Sequence, residues 1–141
     1  MRDEQCIFCK LANGVFPTNF IYEDDDFKVI LDANPATKGH ALILPKEHYA
    51  NVYEMDPELV GKAAQLAQKI VIQEKEKLGC AGYNILQNNG TAAGQTVFHY
   101  HVHLIPRYED AKEDASWTEW SHKEYSDEEM AEICQKMKIS C

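Results

Sequence analysis

Three histidines alternate with large apolar residues over a short stretch in the last third of the chain. They are His99, His101 and His103. Successive side chains of a β-strand point to opposite faces of a sheet, so residues two apart share a face. A strand from Val97 to Ile105 would therefore present three imidazoles on one face. We expect its other face to pack beneath a helix through Phe98, Tyr100, Val102 and Leu104.

The remaining patterns predict an α+β protein, with an antiparallel sheet of about five strands, one main helix packed on it and a short C-terminal helix. The main helix should begin with Asp56 as its N-cap and end at Gly79. Ser126 and Glu129 fit the capping box of the short helix. The further strands are expected at Phe20–Tyr22, Phe27–Leu31, Gly39–Pro45 and Tyr83–Gln87.

Length and charge limit what the chain can do. Its 141 residues suit one domain, which we expect at 1–110, followed by an acidic tail at 111–141. A net charge of −9 disfavours a nucleic-acid partner, although one pocket of an acidic protein can still hold a small phosphorylated ligand. No apolar stretch of about 18 residues suggests a membrane span. No apolar signal-peptide core is visible, so we expect a cytoplasmic protein.

Two of the five cysteines form a Cys6-x-x-Cys9 pair. Such a pair is typical of half a metal site or of a redox motif. Because a redox pair usually follows a strand and opens a helix, and no strand precedes Cys6, we favour a metal. We interpret Cys80, Cys134 and Cys141 as ordinary thiols.

Two chemistries could use the histidine strand. Neighbouring histidines could chelate a catalytic zinc, but the outer two lie ~13 Å apart along a strand, which makes a shared ion difficult. Alternatively, each imidazole could have its own task along a bound phosphate chain, with one ring as nucleophile. The preceding loop favours the second option, because Gly90 and Gly94 allow close backbone approach to phosphate, while Gln95 and Thr96 add side-chain donors.

The run from His99 to Ile105 resembles the His-φ-His-φ-His-φ-φ signature of the histidine triad (HIT) family, in which φ is an apolar residue. The resemblance covers roughly residues 5 to 107 and is strongest to bacterial Hit-type proteins of the phosphoramidase and dinucleotide-hydrolase branches. Further matching segments are Cys6–Cys9, Leu31-Asp32, Thr37–His40, Leu44–His48, Asn88–Gly90 and Ala93–Phe98.

The resemblance implies a nucleotide hydrolase. His101 would attack the α-phosphorus of a purine nucleotide and form a nucleotidyl-histidine intermediate, which water then cleaves. The carbonyl of His99 would orient His101, and His103 would contact the phosphate and the leaving group. The substrate could be a nucleoside phosphoramidate or a dinucleoside polyphosphate. The remaining nucleotide contacts would come from Asp32 at the ribose, Asn88, Gln95 and Thr96 at the phosphate, His40 behind His101, and Ile7 and Phe8 at the base.

The resemblance also implies structural zinc and a homodimer. The matching zinc ligands are Cys6, Cys9, His48 and His99. His99 would then have two functions, since its ring would bind zinc while its carbonyl orients His101. The tail, which includes Trp117, Trp120 and His122, would pack on the domain or on the partner subunit.

Two alternative functions remain open at this point. The chain could be a nucleotide-binding HIT module that acts mainly through a protein partner, although the intact histidine run favours catalysis. It could also be a metalloenzyme that uses the histidine strand for catalytic zinc, in which case chelation would abolish activity promptly.

Overall fold

The computed structural model describes residues 2–109 and 125–137. They contain a five-stranded antiparallel sheet in the order β1-β2-β3-β5-β4. The helices are α1 (Ile7–Ala12), α2 (Pro57–Leu78) and α3 (Asp127–Met137). The strands are β1 (Phe20–Glu23), β2 (Phe27–Leu31), β3 (Ala41–Pro45), β4 (Gly82–Leu86) and β5 (Val102–Arg107). The α+β fold predicted from the sequence, with its five strands, main helix and short C-terminal helix, is confirmed.

The long helix α2 begins and ends where the sequence predicts. The Asp56 carboxylate accepts a hydrogen bond from the backbone N–H of Glu58 at 2.9 Å, and Pro57 occupies the first helical turn. Gly79 ends the helix with a φ of 67°, a left-handed conformation that glycine adopts without a steric penalty. These two caps satisfy backbone groups that the helix ends otherwise leave without partners.

Each face of the sheet carries its own apolar cluster. The residues buried beneath α2 include Val29, Ile43 and Leu104, each 0% exposed. Fully burying a side chain of this size contributes about 1.5–3 kcal/mol. On the opposite face, α1 packs over Ile30 and Leu42. The alternation of side chains along β2, β3 and β5 thus gives α2 one face and leaves the other for α1 and the histidines.

The strand of the histidine run begins later than expected, at Val102 instead of Val97. Pairing between β3 and β5 stops at Ile43 and Val102. Pro45, two residues further along β3, has no backbone N–H with which to extend the ladder. The N–H of Tyr100 instead donates to Tyr49 in a loop, at 2.7 Å.

The expectation that Phe98 packs beneath the helix is wrong. Its side chain is 46% exposed, because it precedes the first paired residue of β5 and so lies outside the alternation of the strand. The other apolar residues of the run, Tyr100, Val102 and Leu104, are buried against α2 as predicted.

The ends of the chain add two helices. The sequence analysis does not predict α1, whose six residues are too few for a clear helical period. In contrast, Ser126 and Glu129 form the expected capping box before α3, each side chain accepting a hydrogen bond from the other's backbone N–H. The residues Trp117, Trp120 and His122 lie outside the described part of the chain. Over residues 2–109 and 125–137, no helix is both long and apolar enough to cross a membrane.

Candidate active site

A cavity of about 650 Å³ lies between α1 and the sheet face that carries the histidines. Its lining has an apolar part and a polar part, here called the apolar end and the polar end, and the two meet where the ring of Phe8 contacts that of His101. One end is apolar and is formed by Ile7, Phe8, Leu11, Pro17, Ile30, Leu31 and Leu42. The other end is polar and is formed by Asp32, His40, Asn88, Thr96, His101 and His103. A volume of this size, apolar at one end with a few converging polar groups at the other, is typical of a small-molecule site.

His101 lies at the polar end with its tautomer set by the backbone. Its Nδ1 is 2.7 Å from the carbonyl oxygen of His99. Because a carbonyl only accepts, Nδ1 must carry the hydrogen, and the lone pair of the neutral ring is then on Nε2. Burial lowers the pKa of His101 from 6.5, partly opposed by this hydrogen bond and by the charge of Asp32. The ring is therefore neutral near pH 7, as a nitrogen nucleophile has to be.

A second hydrogen-bond chain sets the tautomer of His103. The N–H of Ala36 donates to Nδ1 of His40 at 2.9 Å, which leaves the hydrogen of a neutral His40 on Nε2. That Nε2 lies 2.9 Å from Nδ1 of His103 and donates to it. The hydrogen of His103 is then on its own Nε2. Burial, together with the neighbouring His101 and His40, lowers the pKa of His103 to about 4, against the opposing charge of Asp32.

His40 is therefore not where the sequence analysis expects it. Instead of lying behind His101, it contacts His103, with 5.2 Å between the two ring centroids. Its Nε2 is also 3.5 Å from Oδ2 of Asp32. Burial lowers the pKa of His40, against the opposing charge of Asp32. This histidine links the carboxylate to the last histidine of the run.

Asp32 follows β2 directly and occupies a fixed position at the mouth of the cavity. Its Oδ1 accepts a hydrogen bond from the N–H of Asn34, and its own N–H donates to the carbonyl of His40, both at 2.9 Å. The side chain is 21% exposed, so the carboxylate is accessible to a ligand. A carboxylate at this place can accept hydrogen bonds from hydroxyl groups.

The glycine-containing loop forms the rim of the polar end. Gly90 and Gly94 have φ values of 92° and 90°, which residues with a Cβ rarely adopt. Between them lies a single 3₁₀ turn. Thr96 and Asn88 line the cavity, and a Cβ atom at Gly94 would lie 3.6 Å from Nδ2 of Asn88. Both side chains can therefore reach a ligand in the cavity, as the sequence analysis expects.

The structure places Gln95 outside the cavity lining. The side chain is 2% exposed, and its Nε2 donates both hydrogens, to the carbonyls of Ala50 and Val97 at 2.6 and 3.0 Å. Its Oε1 accepts from the N–H of Gly90 at 2.8 Å. With both amide hydrogens bound to backbone carbonyls, the side chain here joins two loops and offers no donor to a phosphate.

A second cluster lies next to the cavity, at the start of α1. Its four members, Cys6, Cys9, His48 and His99, each contribute one ligand atom, and these atoms lie within 4.8 Å of one another. Two thiols and two imidazoles are the donor set of a structural zinc site. The expected set of ligands is therefore brought together from three separate places in the sequence. Cys80 is buried and belongs to no such cluster in the described part of the chain.

The hydrogen bonds in this cluster leave a ring nitrogen lone pair facing the thiols, as a metal site requires. Nε2 of His99 lies 2.9 Å from the carbonyl oxygen of Pro45, so Nε2 carries the hydrogen and the lone pair of Nδ1 faces the thiols. Nδ1 is 3.3 Å from Sγ of Cys6 and 3.4 Å from Sγ of Cys9. Burial raises the pKa of Cys9 to about 11, so a bound cation is needed to hold this thiol as a thiolate.

The helix α1, which the sequence analysis missed, joins the cluster to the cavity. Cys6 is its N-cap, and Sγ of Cys6 accepts a hydrogen bond from the N–H of Cys9. The same turn carries Phe8, whose ring meets those of His101 and His99 edge-on, with centroids 5.0 and 6.1 Å apart. The signal that could have revealed this helix is the Cys6-x-x-Cys9 spacing, since residues three apart share a helix face.

Asp32, His40 and His103 form another group whose ligand atoms lie within 4.8 Å of one another. The hydrogen bonds disfavour a metal there. While Nδ1 of His40 accepts from the N–H of Ala36, the neutral ring carries its hydrogen on Nε2 and has no lone pair for an ion. The geometry therefore favours the use of His101 and His103 without a catalytic metal.

Comparison with known proteins agrees with this arrangement. Residues 13–110 match the HIT domain family. The adenosine 5′-monophosphoramidase hnt1 of Schizosaccharomyces pombe is 40% identical over 102 residues, which cover 72% of this chain and 74% of that protein. A crystal structure of a HIT-family protein from Bacillus subtilis is 39% identical and superposes with a TM-score of 0.85, over 98% of this chain and 100% of that one.

A zinc-bound histidine triad family protein from Mycobacterium smegmatis also has this fold. It is 37% identical, with a TM-score of 0.73, over 93% of this chain and 94% of that one. The family match spans the histidine run, and the B. subtilis structure covers nearly the whole chain. The chain therefore belongs to the HIT family, whose members include nucleotide-cleaving enzymes such as the phosphoramidase of S. pombe.

Proposed function

We propose that the protein hydrolyses the bond between the α-phosphorus of a purine nucleotide and its leaving group, with His101 as nucleophile. The observation that carries this proposal is the hydrogen bond from Nδ1 of His101 to the carbonyl of His99, which places the lone pair of a neutral ring on Nε2. The substrates that fit are a nucleoside phosphoramidate and a dinucleoside polyphosphate, because both present the same phosphorus. The relative from S. pombe is an adenosine 5′-monophosphoramidase, which favours the phosphoramidate.

In the first step, Nε2 of His101 forms a bond to phosphorus and the bond to the leaving group breaks. The ring then carries phosphorus on Nε2 and hydrogen on Nδ1, and the carbonyl of His99 stabilises its positive charge. The Nε2–H of His103 donates a hydrogen bond to the departing nitrogen, which leaves as the amine with a proton taken from solvent. In the second step, water attacks phosphorus and loses a proton to solvent, and His101 is released as a neutral ring.

The rest of the cavity would bind the nucleotide. The base would lie against Ile7 and Phe8 at the apolar end. The Asp32 carboxylate would accept hydrogen bonds from the ribose hydroxyls, and Asn88 and Thr96 would donate to phosphate oxygens. Gln95 would contribute indirectly, by holding the loop that carries Thr96. His40 would act as a positioning residue through His103.

We further propose that Cys6, Cys9, His48 and His99 hold a structural zinc ion. The ion would supply a fixed tetrahedral junction between α1, the loop after β3 and the segment before β5. The M. smegmatis relative, which is described as zinc-bound, supports this assignment. A homodimer also belongs to the proposal, because β4 lies at the edge of the sheet with Ile85 53% exposed and can pair with a second strand.

The decisive experiment traps the intermediate. Wild-type protein is mixed with adenosine 5′-phosphoramidate, quenched within milliseconds at alkaline pH, and analysed by peptide mass spectrometry. We expect an adenylyl group on His101, and none in His101→Ala, which should still bind adenosine monophosphate. The variant Tyr53→Phe serves as a control, because Tyr53 is 79% exposed and lies outside the cavity lining.

Equal turnover by wild type and His101→Ala would refute the nucleophile assignment. The same comparison separates catalysis from the two alternative functions. A binding module would bind the nucleotide without turnover in either protein. A catalytic-zinc enzyme would turn over without an adenylyl-histidine and would stop at once on chelation.

A further inference from the structure

Cys6 and Cys9 are close enough to be joined to each other as well as to a metal. Their Sγ atoms lie within 4.8 Å of one another in the cluster described above. Cys6 is the N-cap of α1 and Cys9 lies in its first turn, where the N–H of Cys9 donates to Sγ of Cys6 at 3.3 Å. The Cα atoms of residues three apart in a helix are about 5 Å apart, which is within the range that a disulfide spans.

The position of this pair at the start of a helix is also that of a redox motif. The sequence analysis favours a metal because no strand precedes Cys6, and residues 2–5 indeed contain none. The structure nevertheless adds the second half of the redox pattern, since the pair opens α1. Metal binding and thiol oxidation therefore use the same two sulfurs, and one excludes the other.

The two thiols differ in their accessibility. Cys6 is half-buried and lines a surface cleft of about 440 Å³. Cys9 is only 4% exposed. A small oxidant such as hydrogen peroxide can therefore reach Cys6 from solvent, while Cys9 lies beside it in position to react with the oxidised sulfur.

We infer that Cys6 and Cys9 are a site of reversible oxidation, at which a peroxide converts the two metal-binding thiols into a disulfide and zinc is released. The inference rests on the zinc site of the proposed function and adds a modification to it. In the first step, Sγ of Cys6 attacks a peroxide oxygen, the O–O bond breaks, and water leaves. In the second step, Sγ of Cys9 attacks Sγ of the sulfenic acid, the S–O bond breaks, and a second water leaves.

The reaction balances without a further reactant. Together the two thiols lose two electrons and two protons, and hydrogen peroxide becomes two water molecules. Where the sulfurs begin as metal-bound thiolates, solvent supplies the two protons. A dithiol reductant reverses the change by thiol–disulfide exchange, so the modification is not a dead end.

The disulfide removes half of the proposed zinc ligands. A sulfur that is bonded to another sulfur is no longer a thiolate, so only the imidazoles of His48 and His99 remain. Two neutral imidazoles do not hold zinc as a closed set of four ligands does. Oxidation and zinc release should therefore occur together, with one ion released for each disulfide formed.

The effect reaches the nucleotide cavity through α1. Sγ of Cys9 lies 3.4 Å from Nδ1 of His48 and of His99, which joins the helix to the loop after β3 and to the segment before β5. These contacts are lost when the sulfur enters the disulfide. Phe8 lies in the same turn, and its ring contacts that of His101 with centroids 5.0 Å apart. We therefore expect the oxidised protein to bind adenosine monophosphate several-fold more weakly.

The experiment follows metal and thiols in the same sample. Reduced, zinc-loaded wild-type protein is treated with a small excess of hydrogen peroxide. Zinc release is recorded with a chromogenic chelator, while aliquots are alkylated, digested and mapped by mass spectrometry. We expect one zinc ion for each Cys6–Cys9 disulfide, with the same rate for both. Dithiothreitol followed by zinc should restore the metal content and the nucleotide affinity.

Two variants separate this pair from other causes of zinc loss. Cys80→Ala removes a buried thiol outside the cluster and should behave as the wild type does. His48→Ala keeps both thiols but removes one proposed zinc ligand. Because its sulfurs are not held by a metal, its disulfide should form faster than that of the zinc-loaded wild type.

The outcomes distinguish this inference from the zinc assignment on which it rests. Zinc release without a Cys6–Cys9 disulfide, through sulfinic acid or a bond to Cys134 or Cys141, would overturn the inference alone. Two thiols that stay reduced after the peroxide treatment, with zinc still bound, would do the same. A reduced wild-type protein that binds no zinc would refute the zinc assignment and this inference together, and would leave the nucleophile proposal in place.

Discussion

His99 and His101 are joined through the backbone of one and the ring of the other. The carbonyl of His99 accepts a hydrogen bond from Nδ1 of His101 at 2.7 Å, while the ring of His99 lies among the thiols of Cys6 and Cys9. His99 therefore belongs to the proposed zinc site and also orients the proposed nucleophile. A change that moves the backbone of His99 would affect both.

Removal of the proposed zinc should weaken nucleotide binding as well as stability. A six-residue helix is marginal without tertiary contacts, and α1 carries Phe8 of the base site together with Cys6 and Cys9. We expect Cys9→Ser to lose zinc, to lower Tm by about 2 to 4 °C per kcal/mol lost, and to bind adenosine monophosphate several-fold more weakly. Metal analysis, calorimetric unfolding and titration calorimetry measure these three effects.

The control for this prediction is Cys80→Ala, which removes a buried thiol outside the cluster. It should keep its zinc and its nucleotide affinity. Unchanged zinc content in Cys9→Ser would show that the four residues are not the ligands.

Loss of His40 should slow the chemical step without greatly changing nucleotide binding. His40 donates to Nδ1 of His103 and so keeps the hydrogen of His103 on the ring nitrogen that would face the leaving group. We expect His40→Ala to lower kcat by roughly 2- to 10-fold, the value of one hydrogen bond between neutral groups, with KM nearly unchanged. His40→Gln, which restores a donor, should recover part of the loss.

Nitrogen NMR provides a signature for His40 that a purely structural role would not give. In the wild type, His103 should show its hydrogen on Nε2, and in His40→Ala a mixture of both tautomers. A single Nε2–H tautomer in both proteins would mean that His40 does not set the protonation of His103.

The value of kcat/KM should begin to fall on the acid side only below pH 6.5. His101 has to be neutral to attack, and burial lowers its pKa below 6.5, so protonation inactivates it only as the pH falls through that lower value. The charge of Asp32 raises the pKa of His101 and of His103. Asp32→Asn should therefore move the acid limb of kcat/KM to still lower pH, in addition to raising KM. An acid limb that moves upward in this variant would contradict the assignment.

Gln95 should behave as a structural residue. Its side chain bonds the backbone groups of Gly90, Ala50 and Val97, so Gln95→Ala leaves buried polar groups without partners at about 1–3 kcal/mol each. We expect a lower Tm together with a higher KM. Gln95→Glu should be worse, because a carboxylate cannot donate to the two carbonyl oxygens. Unchanged Tm with a large loss of kcat would instead support the direct phosphate contact expected from the sequence.

Much of the fold could be predicted because its signals are local. Asp56, Pro57 and Gly79 act within one turn of the helix ends that they define, and Ser126 with Glu129 does the same for α3. The alternation along the run correctly predicted that His101 and His103 lie side by side, with ring centroids 4.9 Å apart, although β5 begins only after His101. The start of β5 was predicted five residues too early, because it depends on where pairing with β3 stops, at Ile43 and Val102.

The sequence by itself determined which chemical groups the chain carries. They are three histidines in alternation, a pair of thiols, and acidic and amide side chains at the positions where the HIT resemblance expects nucleotide contacts. Only the tertiary structure decided what each one faces. It turned Gln95 onto backbone carbonyls and placed His40 against His103. Side-chain type follows from one position in the chain, whereas hydrogen-bond partners and neighbours come from segments that are distant in sequence and meet only on folding.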